Sequence, residues 1–296
     1  MVPRWPLVLP CLLAVGWACA HGMGTQPGPA KALGSAEPRA GRDALDKRDG
    51  EPASLEPAPT RATTRAACPE GMVLLARAQG AYCIDQYEAS LVHLQRGKLE
   101  HWPGNHPVDG HESEVIATSQ KGVKPQGYIS GAQAEQACHN AEKRLCEIDE
   151  WVRACRGPDY TLYPYGNERR REACNDRYQK LDRHPVVRLF EASAPAGTDP
   201  EKMWYPSFMN DPRLHELSHS VTPTGAFEEC TNAWGVYDMV GNLHEWVADQ
   251  AGTFLGGFFM DTFQNGEGCE YRTVAHPFEY HDYSTGFRCC VDPSLQ

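Results

Sequence analysis

The sequence lacks a basic cluster interleaved with aromatics: 28 Lys and Arg stand against 39 Asp and Glu, a net charge of −11. That balance argues against a nucleic-acid partner. The apolar run at residues 6–17, broken only by Cys11, falls short of the roughly 20 residues that a membrane span needs. There is no Ser-His-Asp elbow and no phosphate-cradling glycine loop, so hydrolase and nucleotide chemistry have no support. Paired CxxC motifs are missing, and adjacent Cys289 and Cys290 make poor tetrahedral zinc ligands. Between His21 and Ala66, Leu33, Leu45 and Leu55 are almost the only large apolar residues. Such a stretch cannot bury enough surface to offset its ordering entropy, and residues 21–66 read as a disordered Ala/Pro-rich spacer. No internal repeat is present.

What is there points to export. One Arg precedes the apolar run, and Ala18-Cys19-Ala20 closes it with small residues, so residues 1–20 read as a secretory signal peptide. Cleavage after Ala20 is the simplest outcome; lipidation of Cys19 is the alternative, although Gly16 and Trp17 fit a lipobox poorly. The expected destination is the periplasm, the outer cell envelope or the extracellular space. Ten of the 12 cysteines lie beyond this segment, an even number that suggests five disulfides in an oxidising compartment. Residues 67–296 are long enough for one substantial domain.

Within the domain, residues 71–75 read as a strand and the alternating stretch 82–90 as a second. The period then changes. Ser130 suits the cap of a helix whose Ala134, Ala137, Cys138 and Ala141 share a face, and Asp149 suits the cap of a second helix that buries Trp151 and Ala154 before Gly157-Pro158 stops it. Residues 160–224 have little periodicity and much Pro, Asn, Asp and Gly. Irregular segments of that length carry a site or need fastening.

Four segments, in order, resemble the formylglycine-generating enzyme (sulfatase-modifying factor) family, of which this chain would be a bacterial, secreted member. Lys143-Arg144-Leu145-Cys146-Glu147-Ile148-Asp149-Glu150-Trp151, followed by Ala154-Cys155-Arg156-Gly157, is similar to the family's helical element. Tyr163-Pro164-Tyr165-Gly166-Asn167 is similar to its YPWGN. The most specific is Trp234-Gly235-Val236-Tyr237-Asp238-Met239-Val240-Gly241-Asn242-Leu243-His244-Glu245-Trp246-Val247. Gly256-Gly257 and Gly286-Phe287-Arg288-Cys289 complete the set. The resemblance implies an α+β, C-type-lectin-like fold with short strands, few helices and much ordered loop.

It also implies a calcium ion at the Gly-Asn turn, with the side chains of Asp238 and Glu245 and the carbonyls of Gly241 and Leu243 as ligands. Hard oxygen donors of this kind suit calcium; the bland alternative is that Asp238 and Asn242 only cap the turn. Asn175 and Asp176 resemble part of a second family calcium site. The implied disulfides are Cys138 with Cys289 and Cys155 with Cys269, each closing a loop for which chain-entropy arguments give about 4 to 5 kcal/mol. Cys174 with Cys230 would bracket the irregular segment, which leaves Cys68 with Cys83 and Cys146 with Cys290.

The family oxidises a substrate-protein cysteine to formylglycine through two copper(I)-binding cysteines, soft thiolates being what that ion requires. Here Asp261 stands at the first cysteine position, and no cysteine occupies the second, around Asn265 and Gly266. Cys269 matches the structural half-cystine better, and Phe258 replaces the family serine. Both losses count against copper chemistry. His101, His106 and His111 read as solvated loop residues, and His244, in the place of a family tryptophan, as a surface residue. Two functions compete: an oxidative enzyme of the family, and a calcium-stabilised, lectin-like module for ligand binding or envelope display whose protein or small-molecule ligand the sequence does not name. In the second, residues 160–224 and 258–268 form the recognition surface.

Overall fold

The computed structural model describes residues 66–78, 80–176 and 183–295. The expected signal peptide and lipid anchor, and the spacer up to residue 65, lie outside the described residues. Secondary structure is α+β, with four small sheets among the described residues.

The first sheet runs β2 (Met72–Arg77), β3 (Gly80–Asp85), β12 (Cys289–Val291) and β7 (Arg144–Leu145), all antiparallel. Edge strand β2 shows a half-buried pattern, with Leu75 inside and Leu74 outside, whereas Tyr82 to Asp85 of the inner strand β3 are all buried. The second sheet has the order β5 (Lys98–His101), β4 (Ala89–Gln95) and β6 (Val115–Ser119). The single strand expected over 82–90 is therefore two strands in two sheets. The chain leaves the first sheet after Asp85 and turns the Glu88 carboxylate inward, so one pleated run cannot continue through it. The third sheet joins β10 (Arg272–Thr273), β9 (Phe254–Leu255), β8 (His244–Trp246) and β11 (Thr285–Phe287), with β8 and β11 parallel. Finally β1 (Ala66–Ala67) pairs with β13 (Ser294–Leu295).

Helix α1 (Gly131–Asn140) starts at Ser130, whose hydroxyl accepts the Gln133 N–H while Gln133 accepts the Ser130 N–H. This reciprocal cap satisfies two N-terminal donors at once. The cap of helix α2 (Ile148–Arg156) lies two residues before the expected Asp149: Glu147 is the boundary, and its N–H donates to Glu150 Oε2 at 3.0 Å. Asp149 instead sits in the first turn, where a negative charge favours the helix dipole. Residues 160–224 hold more helix than their lack of periodicity suggested. Helix α3 (Pro185–Ser193), the turn α4 (Pro206–Met209) and two 3-10 turns, Pro200–Trp204 and Pro212–Glu216, each open with proline. Proline at a helix's first position loses no bond, because that N–H has no partner within the helix. His184, Asp199 and Asp211 accept the N–H that follows each proline.

Three apolar clusters form the interior. One surrounds Trp151, a second Trp246, and a third joins Val186 and Leu189 of α3 to Phe259 and Tyr283. All ten cysteines among the described residues are paired: Cys68–Cys83, Cys138–Cys289, Cys146–Cys290, Cys155–Cys269 and Cys174–Cys230. Among the described residues no helix is long and apolar enough to cross a membrane.

Candidate functional site

The turn from Asp238 to Glu245, within the most specific of the motif segments, is held by positive-φ backbone and by side chains from distant segments. Asp238, Gly241 and Asn242 all have positive φ, and a Cβ on Gly241 would lie 2.4 Å from the carbonyl oxygen of Asn175. Only glycine permits that approach. The Asn242 amide then works in all directions: its Nδ2 donates to Glu88 Oε2 at 2.5 Å, and its Oδ1 accepts from Asn175 Nδ2 at 2.8 Å and from the Thr222 N–H at 3.0 Å. Glu88 Oε1 accepts the Leu243 N–H at 3.1 Å. Asp238 Oδ2 accepts the Gly225 N–H at 2.6 Å.

Glu245 is bound on both oxygens. Arg288 Nε and Trp151 Nε1 each donate to Oε2 at 2.6 Å, and a second guanidinium nitrogen of Arg288 donates to Oε1 at 2.7 Å. The pair is 0 % and 1 % exposed, and Arg288 spends its remaining donors on the carbonyls of Asp85 and Tyr237. Burial raises the pKa of Glu88 well above the ordinary carboxylate range, and the neighbouring Asp238 and Glu245 charges push it further. Asp238 is pushed up to about 7, chiefly by burial, against the pull of the Gly225 N–H.

Three buried carboxylates, Glu88, Asp238 and Glu245, thus surround one buried guanidinium. Protons on Glu88 and Asp238, whose pKa values are raised, offset part of that charge, and a divalent cation would favour the ionised forms instead. Among the described residues no three His, Cys, Asp or Glu side chains converge as a metal cage, but two carboxylates and two carbonyls already make a calcium-type donor set. Glu245 Oε1, with one hydrogen bond, keeps a lone pair, as does the Asp238 carboxylate. The residues that would hold calcium are Asp238, Glu245 and the carbonyls of Gly241 and Leu243, with Glu245 at the same time paired to Arg288 and Trp151. At the second family position, Asp176 is engaged by Arg169, and the Asn175 side-chain oxygen is buried without a hydrogen-bond partner.

The copper position is different. A Cβ on Gly257 would lie 2.2 Å from the Asp261 carbonyl oxygen, so the chain folds tightly back on itself here, with reciprocal backbone bonds between Phe258 and Asp261. The Asp261 carboxylate, 7 % exposed, accepts the N–H groups of Phe263 and Gln264 on Oδ1 and the Tyr271 hydroxyl at 3.0 Å on Oδ2. Cys269 is bonded to Cys155 and supplies no thiolate. An oxygen donor tied to its own loop, with every cysteine of the domain in a disulfide, does not fit copper(I), which requires soft sulfur ligands.

His244 is not the surface residue expected. It is 6 % exposed, packed against Phe254, Phe258 and Tyr271, and its ring nitrogens lie 3.3 Å from Ser284 Oγ and from the Tyr271 hydroxyl. Desolvation drops its pKa to about 3, so the ring is neutral. With Ser284 donating to Asp282 at 2.7 Å and Tyr271 donating to Asp261 at 3.0 Å, the single N–H of neutral His244 can be given to only one of the two hydroxyls, so two polar pairs flank the ring at the position where the family has thiolates. Sequence reading missed Glu88, Tyr271 and Ser284. Glu88 carried a usable signal, one of two acids, with Asp85, inside a strand-like run that is otherwise mostly apolar; the other two carried none. His101, His106 and His111 are exposed, as expected.

Residues 81–292 match the model of the sulfatase-modifying factor enzyme 1-like domain. A curated relative, "Inactive C-alpha-formylglycine-generating enzyme 2" of Bos taurus, is 28 % identical over 127 residues, which cover 43 % of this chain and 33 % of that relative. The chain thus spans about a third of the length of the curated relative it matches. Among solved structures, PvdO from Pseudomonas aeruginosa is 14 % identical with a TM-score of 0.40, over 76 % of this chain and 100 % of that one. CarF is 14 % identical with a TM-score of 0.37, over 76 % of this chain and 94 % of that one.

Proposed function

Since the chain belongs to the sulfatase-modifying factor enzyme 1-like domain family, whose α+β, C-type-lectin-like fold it shares, we propose that it is a non-catalytic member: an exported, disulfide-locked, calcium-supported binding module. The observation that carries this reading is Asp261. Its carboxylate stands at the copper-ligand position and is consumed by two backbone N–H groups and a tyrosine hydroxyl, while all ten cysteines of the domain are paired. Asp238, Glu245 and the carbonyls of Gly241 and Leu243 would hold the calcium ion, which would neutralise the acidic cluster and brace the turn. Residues 160–224 and 258–268 would serve as the recognition surface, with Cys174–Cys230 closing the longer segment at its base. Five disulfides support an oxidising destination.

The test is mass spectrometry of a sulfatase-type Cys-x-Pro-x-Arg peptide after incubation with the purified protein, copper(I), reductant and oxygen, beside an active family enzyme. No conversion is expected. Formylglycine formation would overturn the non-catalytic reading and require a cysteine pair to open into thiolates.

A further inference from the structure

One concavity on the surface of the 160–224 segment is built for a ligand of definite chemistry. It measures about 240 Å3 and lies between the turn before α4 and the loop that precedes β11. Trp204 and Tyr280 provide its aromatic walls, Pro206 and Met209 its floor, and Asn210, Glu279 and His281 its polar rim. We propose that this slot binds a single saccharide residue, with the Trp204 ring as platform and the Glu279 carboxylate and Asn210 amide nitrogen as partners for ring hydroxyls, while His281, held between Asn210 and Asp109, fixes the rim. The proposal rests on the binding-module reading above and names the ligand class for it.

Both walls are held in place before any ligand arrives. The Trp204 indole is 51 % exposed, an unusual exposure for so large an apolar ring, yet it is steadied edge-on by the His184 ring at 5.1 Å. His184 in turn caps α3 through the Val186 N–H and meets the Tyr283 hydroxyl at 3.1 Å. Tyr280 stacks on His276 at 3.7 Å, and its hydroxyl donates to Asp282 at 2.7 Å. The rim is oriented too: His281 Nδ1 lies 3.0 Å from Asn210 Oδ1, which leaves the Asn210 amide nitrogen as a donor, and Glu279 presents an exposed carboxylate as acceptor. Rigid walls and fixed polar groups reduce the ordering cost of binding.

The chemistry selects among ligands. No Lys or Arg lines the slot, and Glu279 would repel an anion. A purely apolar ligand would desolvate the Glu279 carboxylate and the Asn210 amide nitrogen without pairing them, which is unfavourable. A pyranose has an apolar C–H face for the indole and vicinal hydroxyls that both donate and accept, as an amide beside a carboxylate requires. The volume, below the roughly 300 to 1,000 Å3 of drug-sized sites, admits one ring.

The experiment is a titration of the full-length 15N-labelled protein with the methyl glycosides of glucose, galactose, mannose and N-acetylglucosamine at millimolar concentration, and with choline. The probe is the indole N–H resonance that disappears in Trp204→Phe. At least one glycoside is expected to shift it saturably; followed by the backbone amide resonances of Asn210 and Tyr280, which survive the substitution, affinity is expected to weaken about tenfold or more in Trp204→Ala, the loss of one stacked ring plus its buried area, and to weaken also in Glu279→Gln. Unchanged melting curves in both variants certify the comparison. No shift with any glycoside, equal affinity in Trp204→Ala, or saturation by choline alone would overturn the proposal. Peptide conversion in the oxidation assay would instead overturn the non-catalytic reading and leave the sugar result standing.

Discussion

Arg288 is fully buried with Glu245 across two hydrogen bonds, and the nearest other ionisable groups, Glu88 and Asp238, are acids. Removing the guanidinium while keeping Glu245 leaves three desolvated carboxylates facing one another. Breaking one partner of such a buried pair typically costs about 3 to 5 kcal/mol, whereas replacing both is often nearly neutral. Arg288→Met is therefore expected to lower the denaturant midpoint strongly, and the double variant Arg288→Met with Glu245→Gln to recover part of the loss. A double variant no more stable than the single one would show that packing, not charge, is what Arg288 contributes. The Arg288 position was legible as part of a family match; its partner was not. Which carboxylate meets it depends on a parallel pairing of β11 with β8 between residues more than 40 apart.

The turn from Asp238 to Glu245 is the element whose calcium dependence can be measured directly. Ligand that binds only the native state raises stability as its concentration exceeds the dissociation constant, so millimolar calcium is expected to raise the melting temperature above that in excess chelator. Asp238→Asn is expected to shrink the difference. Identical curves in calcium and in chelator would remove calcium from the description and leave Arg288 as the turn's sole cation. At this scale the sequence was readable where one local rule dominated. Ser130 as a cap, for instance, needs only its own neighbours. It was misread where two rules competed: α3 was hidden because its proline looked like a breaker when it was a starter. The 82–90 stretch alternates like one strand, but the buried Glu88 carboxylate, serving a turn far along the chain, divides it.

For the molecule as a whole, acid stability carries contributions of both signs. His215 is fully buried with its Nδ1 unpaired, its Nε2 2.5 Å from the Tyr283 carbonyl oxygen, the Tyr128 ring against it and the Lys124 ammonium on its own carbonyl. Burial, then Lys124, brings its pKa down to about 3, and burial brings His184 to about 4. Such groups stabilise the fold above the unfolded value near 6.5, and the contribution is lost as pH falls from there, because only the unfolded chain takes the proton. Raised carboxylates such as Asp238 act oppositely, their protonation favouring the fold as pH falls below 7. The net profile mixes these terms, so the difference between wild type and His215→Gln isolates one. Between pH 6 and 4, wild type is expected to lose about 1.4 kcal/mol per pH unit more than the variant; parallel profiles would mean that His215 titrates in the folded state.

Local chemistry in the chain determined the paired cysteines, the α1 cap, the absence of a thiolate at Asp261 and, through ordered motifs, the family and its fold. These depend on residue identity and short spacing, which a linear string preserves. Only the tertiary structure decided that Glu88 and Arg288 join the turn, that His244 is buried between Ser284 and Tyr271, and that Trp204 and Tyr280 face a common slot from segments some 70 residues apart. Those juxtapositions arise from sheet pairing and from disulfides such as Cys138–Cys289, 151 residues apart. The free energy that selects among such long-range pairings is shared by the whole domain and is written at no single position.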